Sequence, residues 1–447
     1  MEKRKVCGTI IVVAWNQIQD CRECVETIRK YYPEQQLIFV DNSSVDGTRE
    51  WLEQQSYEYI VFDEGIQEYG RALNAVLENF EVGENLILLD PKCRLGKETI
   101  HKMYDSLEKI PRAGVVGCRF NAYAPEQKSI VDSLQRVYEV ENKEMEAWDY
   151  QVIGSVGGCF ALHRSLVSEL GSFDERLAVM EDVLLDYQLR AIQEGYINLI
   201  CRNAYVYVEE GDRNAYIEAL KNIDRDFLKK KWGMNYFNIS ANQRFVNLIK
   251  RQKEEHFSVL EIGCDMGANL LGIKNIYPKC DIMGLEINDK AVTIGKNMVN
   301  IQLGNIEAEE ISFDQRFDYI IFGDVLEHLH NPQSVVEYCR KILKKDGRIL
   351  ASIPNLMHIT VMQQLLCGEF EYTDTGLLDK THIHFFTAKE IVKMFEQTGY
   401  ILEELSGVCY PLTDKEKRLE QELLKISTDV TADMYEIYQY TVVARML

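Results

Sequence analysis

The sequence lacks any long apolar run. None of its 447 residues lies in a stretch that approaches the ~20 apolar residues a membrane-spanning helix needs. Basic residues precede an apolar run within residues 1–15, but that run is short and no small-residue cleavage site follows it. We therefore expect a cytoplasmic protein without a transmembrane segment, in which this run forms the first strand.

Positive charge is also scarce. Lysine and arginine number 50 against 71 aspartates and glutamates, which gives a net charge of -21. A phosphate-binding face needs clustered Lys and Arg, so the balance predicts no nucleic-acid partner and no broad attraction to anionic lipid. The length predicts two or three soluble domains, and nothing in the sequence indicates an oligomeric state.

Paired cysteine motifs are nearly missing. Of the twelve cysteines, only Cys21 and Cys24 form a C-x-x-C, and the second pair that a zinc site would need is absent from the sequence. We predict that this pair lies on one face of an amphipathic helix. Cys118, Cys159 and Cys201 stand in apolar strand contexts, which indicates reduced thiols in a core.

Strand-like and helical patterns alternate in the front half. Such alternation predicts an α/β fold with a mostly parallel sheet and helices on both faces. Ligands of such sheets bind beyond the carboxyl ends of the strands, and Asp41, Asp63 and Asp90 each stand at such an end. The strand-like runs are residues 9–15, 36–42, 58–64, 85–91 and 113–120.

A second α/β series follows a polar stretch, residues 214–257, that we expect to be helical. We place the boundary near Asn235, which predicts an N-terminal domain of residues 1–235 and a C-terminal domain of residues 236–447. No internal repeat is visible, although both halves have the same class of fold.

A glycine-bearing turn follows the first strand of the back half, in "VLEIGCDMGAN". Gly263 and Gly267 let the backbone approach a ligand closely, and the turn leads into a helix N-terminus. About ~20 residues later a second strand ends in Glu286, where a carboxylate can take both hydroxyls of a ribose. "FDYIIFGDVLEHL" then follows as a fourth strand, and it ends near Asp324.

This ordered set resembles a class I S-adenosylmethionine-dependent methyltransferase with a Rossmann-like fold, from about Asn238 to the C-terminus. The strings "YILEELSG" and "YQYTVVARM" fit the antiparallel strand pair that closes that fold. The resemblance implies that Glu261, Gly263 and Gly267 hold the methionine part of the cofactor, that Glu286 holds the ribose, that Asn305 and Ile306 lie beside the adenine, and that Asp324 completes the cofactor site.

Two positions depart from the pattern of that family. Asp265 stands where a glycine is frequent, and Asn305 stands where an acid is frequent. An amide oxygen can still accept from the adenine amino group. We therefore expect S-adenosylmethionine to bind.

Methyl transfer from a sulfonium is an in-line displacement, so the protein aligns the partners and removes a proton from the acceptor. "GDVLEHLHNP" supplies His328 and His330, and "GLLDKTHIHFFT" supplies His382 and His384. We predict His328 or His382 as the base, and the sequence does not choose between them. A structural hydrogen bond is the alternative for each histidine.

The front half, from about Lys5 to Gly233, resembles a family 2 glycosyltransferase of the GT-A fold. The strings that carry the resemblance include "VDNSSVDGT", "GGCFALHR" and "MEDVLLDYQLR", in that order. The resemblance implies an inverting enzyme in which Asp182, beside Glu181, deprotonates the acceptor hydroxyl; helix capping is the structural alternative. It also implies a site for a UDP- or dTDP-sugar at Asp41, Asp90, Lys92, Gly157 and Gly158.

Lys92 occupies the place of the acid that usually binds the divalent cation in that family. The family's late histidine is missing as well, since the front half contains only His101 and His163. We therefore assign no metal ligands. Lys92 could neutralise the diphosphate as a fixed cation, or the domain could have lost transfer and retained binding; a solvated surface lysine is the third reading. The intact "MEDVLLDYQLR" favours retained catalysis.

These resemblances predict a bifunctional glycan-modifying enzyme of polysaccharide biosynthesis. It would transfer a sugar and methylate a glycan or a glycan-linked acceptor. The alternative is an active methyltransferase that carries an inert domain for binding a glycan or nucleotide. A purely structural scaffold is disfavoured by the nearly complete cofactor loop.

Overall fold

The computed structural model describes residues 8–63, 65–120, 149–209, 215–308 and 311–447. The chain forms two compact units, Met1–Ser240 with Thr293–Met298, and Ala241–Val292 with Val299–Leu447. The domain boundary expected between residues 235 and 236 stays a prediction. In the ranges described, no helix has the length and apolar character needed to cross a bilayer.

The first unit is built on one mixed sheet of nine strands. Its central strands are the apolar runs of the sequence, and every residue of the strands Gly8–Ala14 and Asn85–Leu89 is buried, as expected for strands covered on both faces. The strands are β1 (Gly8–Ala14), β2 (Gln36–Asp41), β3 (Glu58–Val61), β4 (Asn85–Leu89), β5 (Cys93–Leu95), β6 (Ala113–Phe120), β7 (Tyr150–Val152), β8 (Cys159–His163) and β9 (Ile197–Val208).

The strand order in this sheet is β3-β2-β1-β4-β8-β6-β9-β5, and β7 also pairs with β9. β1, β2, β3 and β4 are parallel, whereas β8 runs antiparallel to both β4 and β6. The carboxyl ends of β2 and β4 therefore lie at one edge of the sheet, which brings Asp41 and the residues after Leu89 to that edge.

Seven helices flank this sheet within the described residues. The last of them, Ala215–Trp232, ends at Gly233, whose φ of +67° lies in the left-handed region. The expectation that residues 214–257 are helical is confirmed for Ala215–Trp232 and Gln243–Leu248 and is wrong for residues 233–242 and 249–257. The helices are α1 (Ile18–Tyr31), α2 (Thr48–Glu53), α3 (Tyr69–Asn79), α4 (Thr99–Lys109), α5 (Arg164–Leu170), α6 (Met180–Gln193) and α7 (Ala215–Trp232).

The second unit contains a sheet of seven strands. Its central strands are again buried, and its core packs apolar side chains of the sheet against the flanking helices. The strands are β10 (Ser258–Ile262), β11 (Asp281–Glu286), β12 (Ile301–Leu303), β13 (Phe317–Gly323), β14 (Leu343–Pro354), β15 (Tyr400–Cys409) and β16 (Ile437–Met446).

The strand order is β12-β11-β10-β13-β14-β16-β15. β10 to β14 are parallel, while β16 is antiparallel to both β14 and β15. This arrangement confirms the predicted closing pair of antiparallel strands. From residue 241 onward the helices are α8 (Gln243–Leu248), α9 (Ala268–Ile276), α10 (Asp289–Gly295), α11 (Pro332–Ile342), α12 (Ile359–Leu366), α13 (Ala388–Gln397), α14 (Asp414–Ile426) and α15 (Asp433–Glu436), with a 3₁₀ turn at Leu326–His328.

The cysteines behave as the sequence predicts. Cys21 and Cys24 are buried on α1, in the core of the first unit. Every cysteine within the described ranges is a free thiol, and Cys118, Cys159 and Cys201 are all buried.

Candidate functional site

The turn after β10 has the backbone geometry that its glycines suggest. Gly263 and Gly267 have φ values of +70° and +90°, and Asp265 between them is also left-handed at +50°. A Cβ atom at Gly263 would lie 2.5 Å from Cγ2 of Val325, so a side chain there would clash. The turn thus needs glycine for both its conformation and its packing.

Glu286 fastens this turn to the end of β11. Its Oε2 accepts the backbone N–H of Asp265 at 2.8 Å, and its Oε1 accepts the N–H of Asn288 at 2.8 Å. The carboxylate is therefore held in one orientation, and each oxygen retains a second lone pair. These remaining lone pairs can accept hydroxyl donors of a ligand.

Glu261 is a buried carboxyl beside the same turn. Its Oε1 accepts from Asn269 Nδ2 at 2.6 Å, whereas its Oε2 has no hydrogen-bond partner among the described residues. Burial raises the pKa of Glu261 to about 8. A buried acceptor without a donor is costly, so this position suits a ligand that brings a donor or a positive charge.

The other residues predicted to contact the cofactor follow the ends of β12 and β13. Asn305 is exposed, with its Oδ1 accepting the N–H of Glu307 at 3.0 Å, while Ile306 is buried. Asp324 has a φ of +55°, and its Oδ1 accepts from Ser352 Oγ at 3.0 Å and from Gln439 Nε2 at 2.5 Å. Their contacts with a cofactor stay predictions.

The two histidines predicted as alternative bases lie side by side. The ring centroids of His328 and His382 are 4.8 Å apart, and Nε2 of His382 lies 4.0 Å from Oε1 of Glu327. Burial lowers the pKa of His382, and the neighbouring His328 adds to that effect. Burial raises the pKa of Glu327 well above its ordinary value. Within the chain as described, these three side chains form the one group able to hold a metal ion.

In the first unit, Asp41 and Asp90 stand at the ends of β2 and β4. Asp41 is buried; its Oδ1 accepts the N–H of Ser44 at 3.2 Å, and its Oδ2 has no hydrogen-bond partner among the residues described. Asp90 Oδ1 accepts the N–H of Lys92 at 2.8 Å, which closes a tight turn. Burial raises the pKa of both aspartates.

The glycines Gly157 and Gly158 are needed for close packing. A Cβ atom at Gly157 would lie 3.0 Å from the ring of Phe120, and one at Gly158 would lie 2.5 Å from Cys93 Sγ and 2.9 Å from Asp90 Cβ. The space at these positions is therefore filled by neighbouring side chains. Their part in binding a nucleotide sugar stays a prediction.

The two acids at the start of α6 are both paired with α7. Nζ of Lys221 lies 3.1 Å from Glu181, and Nε of Arg225 lies 2.5 Å from Oδ1 of Asp182. Asp182 is completely buried, whereas 38% of the Glu181 side chain is exposed. Burial raises the pKa of Asp182 to about 7, and Arg225 opposes that shift.

Lys221 and Arg225 were missed by the sequence analysis. Their spacing of four residues on a helix puts them on one face, which was the available signal. Asp224 between them is buried, and its Oδ2 accepts the N–H groups of Ala178 and Val179 at 2.9 Å each. This contact fixes α7 against the start of α6.

The surroundings of Asp90 do not fit a divalent cation. Among the residues that the structure describes, no group of three metal-binding side chains includes Asp90, and Lys92 stands where a second acid would be needed. A metal ion therefore enters no step that we derive for the first unit.

Comparison with known proteins gives one family for each unit. A model described as "Glycosyl transferase family 2" matches residues 9–171, and one described as "Methyltransferase domain" matches residues 234–405. Ubiquinone biosynthesis O-methyltransferases are similar to the second unit. The protein of Acinetobacter baumannii (strain ACICU) is 25% identical over 168 residues, which are 35% of this chain and 69% of the relative. That of Coxiella burnetii (strain RSA 331 / Henzerling II) is 24% identical over 210 residues, 42% of this chain and 88% of the relative.

Among solved structures, the crystal structure of GalNAc-T7 with UDP, GalNAc and Mn²⁺ matches with 16% identity and a TM-score of 0.37. The match covers 46% of this chain and 44% of that one, so this chain spans less than half of that protein. The two family matches support a family 2 glycosyltransferase domain followed by a class I methyltransferase domain.

Proposed function

We propose that this protein transfers a sugar from a UDP- or dTDP-sugar and methylates a hydroxyl of a glycan or glycan-linked acceptor with S-adenosylmethionine. The observation that carries the proposal is the buried carboxyl of Glu261, which has one hydrogen-bonded oxygen and one without a partner in the described part of the chain. It lies beside the turn that Glu286 holds through two backbone N–H groups. The two family matches supply the reaction classes.

The residues around the turn fit S-adenosylmethionine, which supplies a methyl group on a sulfonium. Its methionine end carries an ammonium, which suits the unpaired Oε2 of Glu261. Its ribose hydroxyls suit the remaining lone pairs of Glu286, whose orientation is fixed by two backbone N–H groups. The left-handed glycines leave the backbone of the turn open to close approach.

We propose oxygen as the methylated atom. The similar proteins from Acinetobacter and Coxiella carry the name O-methyltransferase. A hydroxyl must lose its proton during transfer, and His328 and His382 stand together beside the buried Glu327. Their Nε2 atoms are available for a hydroxyl group of the acceptor or for a group that activates it.

For sugar transfer, the nucleotide would be held at the carboxyl ends of β2 and β4. Asp41 has one buried oxygen that can accept the imide N–H of uracil or thymine. Lys92 would place a fixed cation near the diphosphate leaving group, where the family uses a metal ion. Asp182, with a pKa near neutrality, would take the proton of the acceptor hydroxyl, with Glu181 beside it.

One observation favours the second candidate function, an active methyltransferase with an inert binding domain. Lys221 and Arg225 already lie against Glu181 and Asp182, so an acceptor hydroxyl would have to compete with these side chains for the two carboxyl groups. In that case the first unit would bind a nucleotide or glycan and present it for methylation. Either function would serve polysaccharide biosynthesis in the cytoplasm.

Titration of the full-length protein tests the proposal. We expect isothermal titration calorimetry to show binding of S-adenosylmethionine and of UDP or dTDP, and a panel of their sugars to show turnover with a glycan acceptor. Binding of nucleotide without any sugar transfer or donor hydrolysis would favour the inert-domain alternative. No binding of S-adenosylmethionine would refute the methyltransferase half.

A further inference from the structure

Glu327 is an unusual side chain for the interior of the second unit. It follows β13 in a 3₁₀ turn, its side chain is 1% exposed, and neither of its carboxylate oxygens has a hydrogen-bond partner among the described residues. Burying a carboxylate without donors is expensive, and buried charges in proteins are usually paired or coordinate metals. The structure therefore leaves a strong ligand atom without a partner.

Two imidazoles lie next to this carboxylate. One ligand atom from each of Glu327, His328 and His382 can be chosen so that all three atoms lie within 4.8 Å of one another. Ligands of one transition metal, each about 2.1 Å from the ion, lie roughly 3–4 Å apart. Side-chain movements of about 1 Å would bring the three atoms onto one ion.

The hydrogen bonds of the two histidines leave a lone pair on each Nε2 atom, as a metal ligand requires. Nδ1 of His328 lies 3.2 Å from the carbonyl oxygen of Thr381, and Nδ1 of His382 lies 3.3 Å from that of Leu377. A carbonyl oxygen can only accept, so each Nδ1 carries the proton and each Nε2 keeps its lone pair. Metal-binding histidines typically show this arrangement, with the distal ring nitrogen donating to a backbone carbonyl.

A second contact strengthens the assignment for His328. The hydroxyl of Thr381 lies 3.2 Å from Nδ1 of His328 and donates its own proton to Asp379 at 2.7 Å. The hydroxyl oxygen is therefore left to accept from His328. Both groups near this Nδ1 are acceptors, which fixes the tautomer with Nε2 unprotonated.

The loop that carries His382 is fastened to the turn that carries Glu327. The backbone oxygen of Glu327 accepts the N–H groups of Ile383 at 2.8 Å and of His384 at 3.0 Å. These bonds hold the two segments in register without using the carboxylate. The three ligand atoms are thus brought together by a backbone contact, as a prearranged site requires.

We propose that Glu327, His328 and His382 bind one divalent transition-metal ion. Two imidazoles and one carboxylate suit Zn²⁺, Mn²⁺, Fe²⁺ or Co²⁺, and three protein ligands leave positions open for another molecule. This assignment makes the two histidines metal ligands, whereas the sequence suggested that one of them is a general base and assigned no metal. Binding of the ion is a property of the apoprotein and needs no substrate.

The role of the ion rests on the proposed function, methylation of a hydroxyl. The acceptor oxygen would occupy an open position on the cation, which lowers the pKa of the hydroxyl and releases its proton to water. The C–S bond of the sulfonium then breaks as the O–CH₃ bond forms. The products are the methylated acceptor, S-adenosylhomocysteine and one proton.

Cobalt tests the site without any need for methyl transfer. The full-length protein is stripped with a chelator, dialysed and titrated with Co²⁺, and the visible d–d absorption reports ion bound to protein ligands. We expect one equivalent per chain in the wild type. We expect affinity to fall at least about tenfold in His328→Ala, His382→Ala and Glu327→Gln.

His384→Ala is the matched control. His384 lies two residues from His382, but its Nε2 is already bonded to the carbonyl oxygen of His330 at 3.2 Å, so its removal should leave the cobalt spectrum unchanged. Folding of each variant is checked by its affinity for S-adenosylmethionine in the presence of chelator. A wild type that binds no Co²⁺, or one whose binding survives all three ligand substitutions, would overturn the proposal.

The same titrations separate this proposal from the proposed function. Cobalt binding with no binding of S-adenosylmethionine would leave the metal site standing and refute methyl transfer. Binding of S-adenosylmethionine with no cobalt site would refute the metal and leave the base assignment of His328 or His382.

Discussion

Nε of Arg225 lies 2.5 Å from Oδ1 of Asp182, and Asp182 is completely buried. Burial raises the pKa of Asp182 to about 7, although the guanidinium of Arg225 opposes the shift. A carboxyl that titrates near neutrality is suited to accept a proton from a substrate hydroxyl. The same shift must also make the stability of the first unit depend on pH.

The first prediction concerns that dependence. An unfolded aspartate has a pKa of about 3.9, so between about pH 4 and pH 7 the folded protein keeps a proton on Asp182 that the unfolded chain has lost. Stability contributed by this group is present below pH 4 and is lost as the pH rises to about 7. Asp182→Asn should therefore gain stability relative to wild type across this window, on the order of a few kcal/mol.

Calorimetric unfolding at pH 5 and at pH 7.5 measures this difference. Glu181→Gln is the control, since Glu181 is the adjacent acid and its side chain is 38% exposed. We expect the melting temperature of Asp182→Asn, relative to wild type, to be higher at pH 7.5 than at pH 5. An equal difference at both pH values would contradict a buried, raised pKa.

The second prediction concerns the ribose contact. Replacing Glu286 by alanine removes the acceptor that we propose for two ribose hydroxyls and also releases the N–H groups of Asp265 and Asn288. The expected loss of S-adenosylmethionine affinity is about 1–3 kcal/mol, or about 5- to 150-fold. Isothermal titration measures it, with the exposed Asp289→Asn as control. Unchanged affinity in Glu286→Ala would rule out the placement of the ribose.

The third prediction concerns proton release on cofactor binding. With its pKa near 8, Glu261 is largely protonated at pH 6.5, where the ammonium of the methionine end is also protonated. Pairing with the ammonium favours the carboxylate, so binding should release close to one proton at this pH. Titration in buffers of different ionisation enthalpy measures the release.

Glu261→Gln supplies the comparison for that experiment. The amide keeps the shape of the side chain and has no proton to release. We expect weaker binding and no dependence of the binding enthalpy on the buffer. A wild-type enthalpy that is the same in all buffers would show that Glu261 does not ionise when the cofactor binds.

The sequence predicted where the acids of the two candidate sites stand, but it did not predict which side chains pair with them. Apolar runs such as β1 and β4 are buried on both faces, so local composition marked their ends within a residue or two. β9 is not among the five strand-like runs, although Cys201 stands in an apolar strand context, because polar residues such as Asn198 and Arg202 interrupt its apolar pattern. When the polar side chains of a buried strand form their hydrogen bonds inside the protein, the hydrophobic pattern of that strand in the sequence is weaker.

The site features that the sequence did not predict depend on contacts between segments that are far apart in the chain. The pairing of Arg225 with Asp182 depends on how α7 lies against α6, which no local pattern encodes. The approach of His382 to His328 likewise depends on the backbone bonds from the 381–384 segment to Glu327. Sequence proposed either histidine as the base, whereas their adjacency beside a buried carboxylate is visible only in three dimensions.

The fourth prediction concerns these histidines in catalysis. His328→Ala and His382→Ala should each lower the rate of methyl transfer by about 10²–10⁴-fold, because activation of the acceptor hydroxyl is lost. Affinity for S-adenosylmethionine should not change, since neither histidine is among the residues predicted to contact the cofactor. His384→Ala should transfer methyl at the wild-type rate. Wild-type rates in both single variants would mean that the proton leaves by another route.

The last prediction concerns Lys92. A diphosphate leaving group needs positive charge near it, and this chain has a lysine where the family it resembles usually has an acid that recruits a metal. Wild-type protein should therefore bind UDP or dTDP equally well with manganese and with EDTA. Lys92→Asp should weaken metal-free binding and create a dependence on manganese, because it places a second carboxylate beside Asp90. Lys109→Asp, the same charge change on the exposed end of α4, should alter neither the metal-free binding nor the effect of manganese.

Wild-type binding that collapses in EDTA would show that a metal is still held at this edge of the sheet. If neither condition supports nucleotide binding, the fixed-cation role of Lys92 fails and the inert-domain alternative is favoured.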